Sequence, residues 1–320
     1  MSESFPSVTV IIPAKPGLAE VKAAEAAARF DYPREKLEIL IARGRQPSVQ
    51  RNTAIRAARG EIIYFLDDDS VALPENLRRA MPYFAQPDVA MVGGPNVCPP
   101  GAPPLEQAFA EVMASWLAFG PSRTRYRPVG RLRASSEKEL ILCNLLARRS
   151  ELLAVGGFNE MLYPNEENAL MDHLVARGGR LLYDPELVVL RRPRTTLRAF
   201  CKMLLNYGRG RAEQFRTHPT PGSALNFVPP LFLVYLLALP PAVCFVPWVS
   251  APLGLYLLAV LAQTLASPSR RPGHLARVFP LIVLTHVFYG LGFWRGLFTK
   301  LKPPGAVPDV PVQLEQVTPV

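Results

Sequence analysis

The chain has 320 residues, four cysteines and a net charge of +10, and 49% of its residues are hydrophobic against 19% charged. That apolar content excludes an intrinsically disordered chain, and so few cysteines exclude a small disulfide-held fold. The charged fraction is below the roughly 25% usual for soluble domains, and the deficit is local: residues 217–269 contain no Asp, Glu, Lys or Arg, and 278–294 form a second uncharged apolar run.

Residues 8–13 are apolar and β-branched up to Pro13 and predict a buried strand. The alanine-rich stretch 18–30 predicts a helix, and 37–41 a second strand. A helix over 48–59 stops before Gly60, which suits a left-handed C-terminal cap, and 62–66 is a third strand. This alternation predicts an α/β fold with a mostly parallel sheet. The third strand runs into Asp67-Asp68-Asp69. Ligands of such sheets bind beyond the carboxyl ends of the strands. Three adjacent carboxylates repel one another unless a cation sits among them, and Mg²⁺ or Mn²⁺ prefers such oxygen ligands, completed by substrate phosphates. A solvated acidic turn is the plain alternative.

A strand over 90–92, a proline-rich loop over 99–104 and a helix over 105–119 follow. That helix is amphipathic and suits either the core or a membrane surface. Arg123, Arg125, Arg127, Arg131 and Arg133 then occupy a loop that either orders over an anionic substrate or is solvated. Residues 140–146 predict another strand. Glu166 and Glu167 head a helix, where they complement its dipole or supply a general base. Cys98, Cys143, Cys201 and Cys244 lack metal-site spacing, so free thiols are expected.

At this point the residues resemble a known family. The segments 8–13 and 32–38, Gln50-Arg51-Asn52, 58–61, 65–69 and Val92-Gly93-Gly94-Pro95 are similar, in order, to those of family 2 glycosyltransferases of GT-A fold. Gly156-Gly157-Phe158-Asn159-Glu160, residues 165–168, Tyr183-Asp184-Pro185 and Asn206-Tyr207-Gly208-Arg209-Gly210 extend the likeness. The apolar tail ending at 286–293 resembles the succinoglycan-type exopolysaccharide branch. The resemblance implies inverting transfer from a nucleotide diphosphate sugar with Mg²⁺ or Mn²⁺. It assigns Asp69 and Asp67 to the metal, and Pro13, Arg51, Asn52, Asp67, Asp68 and Asp69 to the nucleotide sugar. It gives Glu167 the role of catalytic base, with Glu166 as second candidate. Asn144, Arg209 and Arg211 are expected near the acceptor or diphosphate.

Three departures qualify the likeness. The base position holds Glu167 where the family has Asp. Strand two ends in Arg43-Gly44-Arg45 rather than in acids, so Arg43 or Arg45 could meet phosphate instead. The Gln-x-x-Arg-Trp motif of processive synthases is missing, which points to single additions.

The domains read as 1–216, a cytoplasmic catalytic body ending in a basic amphipathic segment, then 217–302, a membrane region, then 303–320, a flexible tail. Candidate membrane helices are 228–248, 249–266 and 278–294, the first interrupted by prolines. Arg270, Arg271 and Arg277 place the second loop inside, whereas Arg295, Lys300 and Lys302 put both ends of the third helix inside. Either the third stretch is re-entrant or interfacial or the positive-inside signal fails there, and three helices are expected. Residues 1–10 carry no signal-peptide pattern, so the body is expected on the cytoplasmic side of the inner membrane. The expected acceptor is lipid-linked, a polyprenyl diphosphate oligosaccharide or polyprenyl phosphate itself, and nucleic acid is not an expected partner. The rivals are a phosphotransferase using Asp67 as nucleophile and a non-catalytic membrane scaffold.

Overall fold

The computed structural model describes residues 5–162, 165–217, 219, 221–301 and 311–318. In chain order the elements are β1 (Val8–Ala14), α1 (Lys22–Ala27), β2 (Leu37–Arg43), α2 (Pro47–Ala57), β3 (Ile62–Leu66), β4 (Val71–Ala72), α3 (Asn76–Ala80), β5 (Val89–Gly93) and β6 (Asn96–Val97). There follow α4 (Pro104–Met113), α5 (Trp116–Phe119), β7 (Arg133–Ala134), β8 (Asn144–Arg148), α6 (Arg149–Ala154), α7 (Glu166–Ala176), β9 (Arg180–Tyr183) and β10 (Val189–Leu190). The remainder is α8 (Leu197–Thr217), α9 (Val228–Val243), α10 (Ala251–Leu265), α11 (Pro272–Phe298) and β11 (Gln313–Val317).

These elements form two compact units: Met1–Pro99 with Thr124–Arg192 and Pro303–Val320, and Pro100–Arg123 with Pro193–Lys302. The boundaries expected at 216 and 217 therefore shift. Residues 100–123 and 193–216 group with the apolar helices: Phe109 of α4 stacks on Phe200 of α8 with ring centroids 4.3 Å apart, and Gly208 of α8 lies against the backbone of Tyr289 and Phe293 in α11.

The first unit is built on a sheet of order β11-β2-β1-β3-β8-β5-β9-β7, with a small sheet β4-β10-β6 beside it. β1 pairs in parallel with β2 and β3, as the strand–helix alternation predicts. β8 enters antiparallel to both β3 and β5, so the sheet is mixed. Strand alternation splits the core. Val8, Val10 and Ile12 of β1 pack on one face with Tyr64 and Leu66, and Ile11 packs on the other with Ile63, Phe65 and Phe158. A strand with both faces covered has no polar side, which is why 62–66 reads as an unbroken apolar run.

Several predicted elements are shorter than their patterns. The helix expected over 18–30 holds only Lys22–Ala27, and that over 105–119 breaks at Ala114 and Ser115, whose hydroxyl caps the next turn at Ala118 N. Of the strand expected over 140–146, only 144–146 lie in β8, and 142–143 form a turn ahead of it. The largest departure is the C-terminus. Of the tail expected to be flexible, residues 313–317 form an edge strand antiparallel to β2, and 302–310 and 319–320 lie outside the described residues. Backbone pairing and the Arg43–Glu315 ion pair, 2.7 Å from Nε to Oε2, hold a segment whose composition alone carries no strand signal.

Asp184 shows how burial fixes the second half of this unit. Its carboxylate is 1% exposed and accepts from Arg79 Nε at 2.6 Å and Tyr83 Oη at 2.9 Å. Removing one partner of a buried pair strands the other. Asp184→Ala is expected to cost about 3 kcal/mol, read as a lower midpoint of thermal unfolding in detergent. An unchanged midpoint would show that the pair contributes no net stability.

In the second unit, Ser223–Val243, Pro247–Leu265 and Pro272–Phe298 are each long and apolar enough to cross a membrane, by length and composition.

Candidate active site

The acidic triplet leaves the end of β3 in a turn closed by Ser70 N to Asp67 O, 3.0 Å. Ala23 N, at the start of α1, holds the carbonyl of Asp68 at 3.2 Å. Two guanidinium groups meet the carboxylates. Arg51 Nη2 lies 3.1 Å from Asp67 Oδ1, and Arg191 bridges Asp67 Oδ2 at 3.1 Å and Asp69 Oδ1 at 2.5 Å. Asp69 is the most open of the contacting acids, with 47% of its side chain exposed against 25% for Asp67. Burial, then the charges of Asp69 and Asp67, raise the pKa of Asp68.

The Gln-Arg-Asn motif lies on α2 and turns inward. Gln50 Nε2 donates to the carbonyls of Ala14 and Ala42, joining the carboxyl ends of β1 and β2. Pro13 stands in register with Ala42 at those ends. Arg51, 6% exposed, links two elements: its other nitrogen, Nη1, lies 3.3 Å from Glu166 Oε1. Asn52 is buried, donates to Phe158 O and Glu160 Oε1 and accepts from Phe158 N. Asn52 thus holds the 156–160 loop, where Gly157 has φ +79° and a Cβ would collide with Asn52 Oδ1. Two of the six residues expected on the nucleotide sugar, Arg51 and Asn52, hydrogen-bond within the chain and shape the site.

α7 begins after Asn165, a non-glycine residue at φ 94°. Glu166 is buried, and its pKa is pushed up to about 8 by burial and then by Glu167, against the pull of Arg51. Glu167 keeps 15% of its side chain exposed, 4.0 Å from Arg125 Nη1. Arg125 also donates to Asn168 Oδ1 at 2.7 Å, so this member of the arginine-rich loop is internal. Arg133 likewise pairs with Glu139 and covers the Tyr183 ring.

Other expected residues are placed elsewhere. Asn144 is fully buried: its amide accepts from Tyr64 Oη and donates to the carbonyls of Leu187 and Pro95. It stands in register with Leu66, one residue before the triplet, and its side chain links β3 to the segments at Pro95 and Leu187. Arg209 and Arg211 lie on α8 in the second unit, with Glu213 and Gln214 as partners. Arg43 is pinned between Glu315 and the carbonyl of Leu18.

Arg191 is the site residue that sequence reading passed over, grouped there with a basic segment. Its position follows from β10 pairing antiparallel with β4, Leu190 opposite Val71, so that the next residue outward stands beside Ser70 and Asp69. The usable signal was a strand ending in arginine. The partner strand lies more than a hundred residues away.

Among the described residues, no group of three or more His, Cys, Asp or Glu side chains is arranged to hold a metal ion by itself. The donor set nonetheless fits a hard divalent cation shared with substrate. Asp67 and Asp69 converge on one positive charge, the Arg191 guanidinium, and Mg²⁺ or Mn²⁺ commonly takes one or two carboxylates plus phosphate oxygens.

Comparison with known proteins agrees with this geometry. Residues 22–131 match the model of glycosyl transferase family 2. A pre-mycofactocin glycosyltransferase of Mycobacterium tuberculosis is 30% identical over 175 residues, covering 54% of this chain and 36% of that protein. The succinoglycan biosynthesis protein ExoA of Rhizobium meliloti is 29% identical over 201 residues, covering 60% and 57%. The match thus spans between about a third and just over half of these relatives' lengths. In structure, the mannosyltransferase PcManGT from Pyrobaculum calidifontis, solved with GDP-Man and Mn²⁺, superposes with a TM-score of 0.54 at 18% identity, covering 92% of this chain and 87% of its own. Residues 22–131 are therefore similar to glycosyl transferase family 2, and the chain has a GT-A fold.

Proposed function

We propose that this chain is an inverting, metal-dependent glycosyltransferase that moves a sugar from a nucleotide diphosphate sugar to a lipid-linked acceptor at a membrane. The observation that carries this reading is the Arg51 bridge. One buried guanidinium ties Asp67, at the end of β3, to Glu166, at the head of α7, so donor-side and acceptor-side acids open on one place. That place is the carboxyl end of the parallel strands, where α/β sheets take their ligands. The sugar-transferring relatives support the reaction class, and the Mn²⁺ and GDP-Man of the archaeal neighbour support a cation and a nucleotide sugar. The apolar helices support an acceptor held in a membrane, such as a polyprenyl diphosphate oligosaccharide. In this reading the catalytic unit lies on the cytoplasmic side of the inner membrane.

In this reading Asp69 and Asp67 would hold Mg²⁺ or Mn²⁺. When bound, such a cation supplies positive charge to the leaving diphosphate as its bond to the anomeric carbon breaks. Glu167 accepts the acceptor hydroxyl proton on a carboxylate oxygen. The freed oxygen attacks the anomeric carbon from the face opposite the diphosphate and inverts it. Glu166 stays protonated near neutral pH, which leaves Glu167 as the base. Arg191 releases Asp69 and offers its guanidinium to the diphosphate.

The test uses the full chain in nanodiscs, with Mn²⁺ or Mg²⁺ and a panel of nucleotide sugars, and records release of nucleoside diphosphate. Metal-dependent release from one donor, stimulated by a lipid-linked acceptor, is expected. No binding and no release with any donor would sink the reading.

A further inference from the structure

Length and hydropathy allow three crossings of the bilayer, yet the fold restricts their number. β2 precedes all three apolar helices in the chain, and β11 follows them. These two strands pair antiparallel over five residues, from Gln313 opposite Arg43 to Val317 opposite Ile39. A hydrogen-bonded soluble sheet cannot exchange strands through hydrocarbon, where every unpaired backbone group is costly. Residues 43 and 313 therefore lie on the same side, and the number of crossings between them is even.

A second observation says which helix stays behind. α11 is joined along its C-terminal half to α8 at backbone contact. A Cβ on Gly208 would meet the carbonyl of Tyr289, one on Gly292 that of Leu205, and one on Gly296 that of Arg209. Arg216 Nη1 donates to Gly296 O at 3.0 Å and to Thr299 O at 2.5 Å. α8 carries Arg198, Lys202, Arg209, Arg211 and Arg216, a charge density that excludes it from the bilayer centre. A helix fastened to it shares its depth. α9 and α10 differ. Their hydrophobic side chains face outward, with Leu237 81% and Leu255 68% exposed, and Tyr235 Oη ties them as a hairpin by accepting from Leu253 N and donating to Val249 O. The stretch 217–269 that holds them is uncharged.

We propose that the chain crosses the membrane twice, through the α9–α10 hairpin, and that α11 remains with α8 on the side that carries β2 and β11. The occupant of the exposed α9–α10 surface is lipid, and the turn around Trp248 lies on the far side. Of the three membrane helices expected from the sequence, two then cross. It stands independently of the proposed chemistry.

The test expresses the full-length chain in a Gram-negative bacterium. Green fluorescent protein or alkaline phosphatase is fused after Val320, or phosphatase is inserted after Val249. Fluorescence after Val320 and phosphatase activity only at Val249 are expected, with at least about a tenfold difference in phosphatase activity between the two positions. With the body that carries β2 on the cytoplasmic side, as proposed above, phosphatase activity after Val320 would mean an odd number of crossings, and inactivity at Val249 would mean that the hairpin does not cross. Either result overturns the proposal. Should a fusion disturb folding, the unfused chain with its four cysteines replaced is labelled on spheroplasts with an impermeant maleimide. Trp248→Cys should react and Thr299→Cys should not, and the reverse overturns the proposal.

Discussion

Glu167→Gln is expected to lower kcat for sugar transfer by about a thousandfold while leaving the affinity for donor and metal unchanged. General-base removal typically costs about 10²–10⁴ in rate, and Gln keeps the shape of the side chain while losing the site that takes the proton. Glu166→Gln separates the two acids. Glu166 is buried beside Arg51, with its pKa pushed from 4.5 up to about 8, so near pH 7 the substitution replaces one uncharged group by another and should change kcat far less. The linkage has a definite sign. Between the ordinary glutamate range and about 8 the folded chain holds a proton that the unfolded chain has lost. Stability contributed by this site is therefore greatest below that window and falls as pH rises through it. The unfolding midpoint of wild type should drop more between pH 5.5 and 8.5, roughly the window's span, than that of Glu166→Gln. If Glu166→Gln abolished transfer and Glu167→Gln did not, the base assignment would pass to Glu166.

Asp69→Ala is expected to remove metal-dependent release of nucleoside diphosphate, by about 10²–10³ or more, and with it the gain in nucleotide affinity that Mn²⁺ brings. Asp69 is the open carboxylate of the triplet, and its described partner is the Arg191 guanidinium. Because a divalent ion carries twice the charge of a guanidinium, it competes well for the same oxygens at similar distance. Binding of nucleoside diphosphate measured by calorimetry, with and without Mn²⁺, checks this. Equal metal enhancement in wild type and Asp69→Ala would remove Asp69 from the metal site.

How much of this could be read from the chain depends on the range of each interaction. The strands 8–13, 37–41 and 62–66 were legible because a β-branched run between turn residues is a local signal, and their parallel pairing follows from the intervening helices. The acidic triplet was legible for the same reason: it ends an apolar strand, and strand ends are where such sheets bind. Roles within the site were less so. Nothing local says that Arg51 and Asn52 spend their hydrogen bonds on Asp67, Glu166 and the 156–160 loop, or that Asn144 accepts from Tyr64.

The sequence by itself determined the α/β class, the acidic strand end, the pair of glutamates opening a helix, and the uncharged apolar stretches. Each is a property of neighbouring residues, set by side-chain periodicity and by what hydrocarbon excludes. Only the tertiary structure decided that Arg191 closes over the triplet and that the last strand returns to β2. Both rest on β-pairings between segments more than a hundred residues apart, β10 with β4 and β11 with β2. A ladder of backbone hydrogen bonds leaves no trace in composition, since any residue but proline can make it.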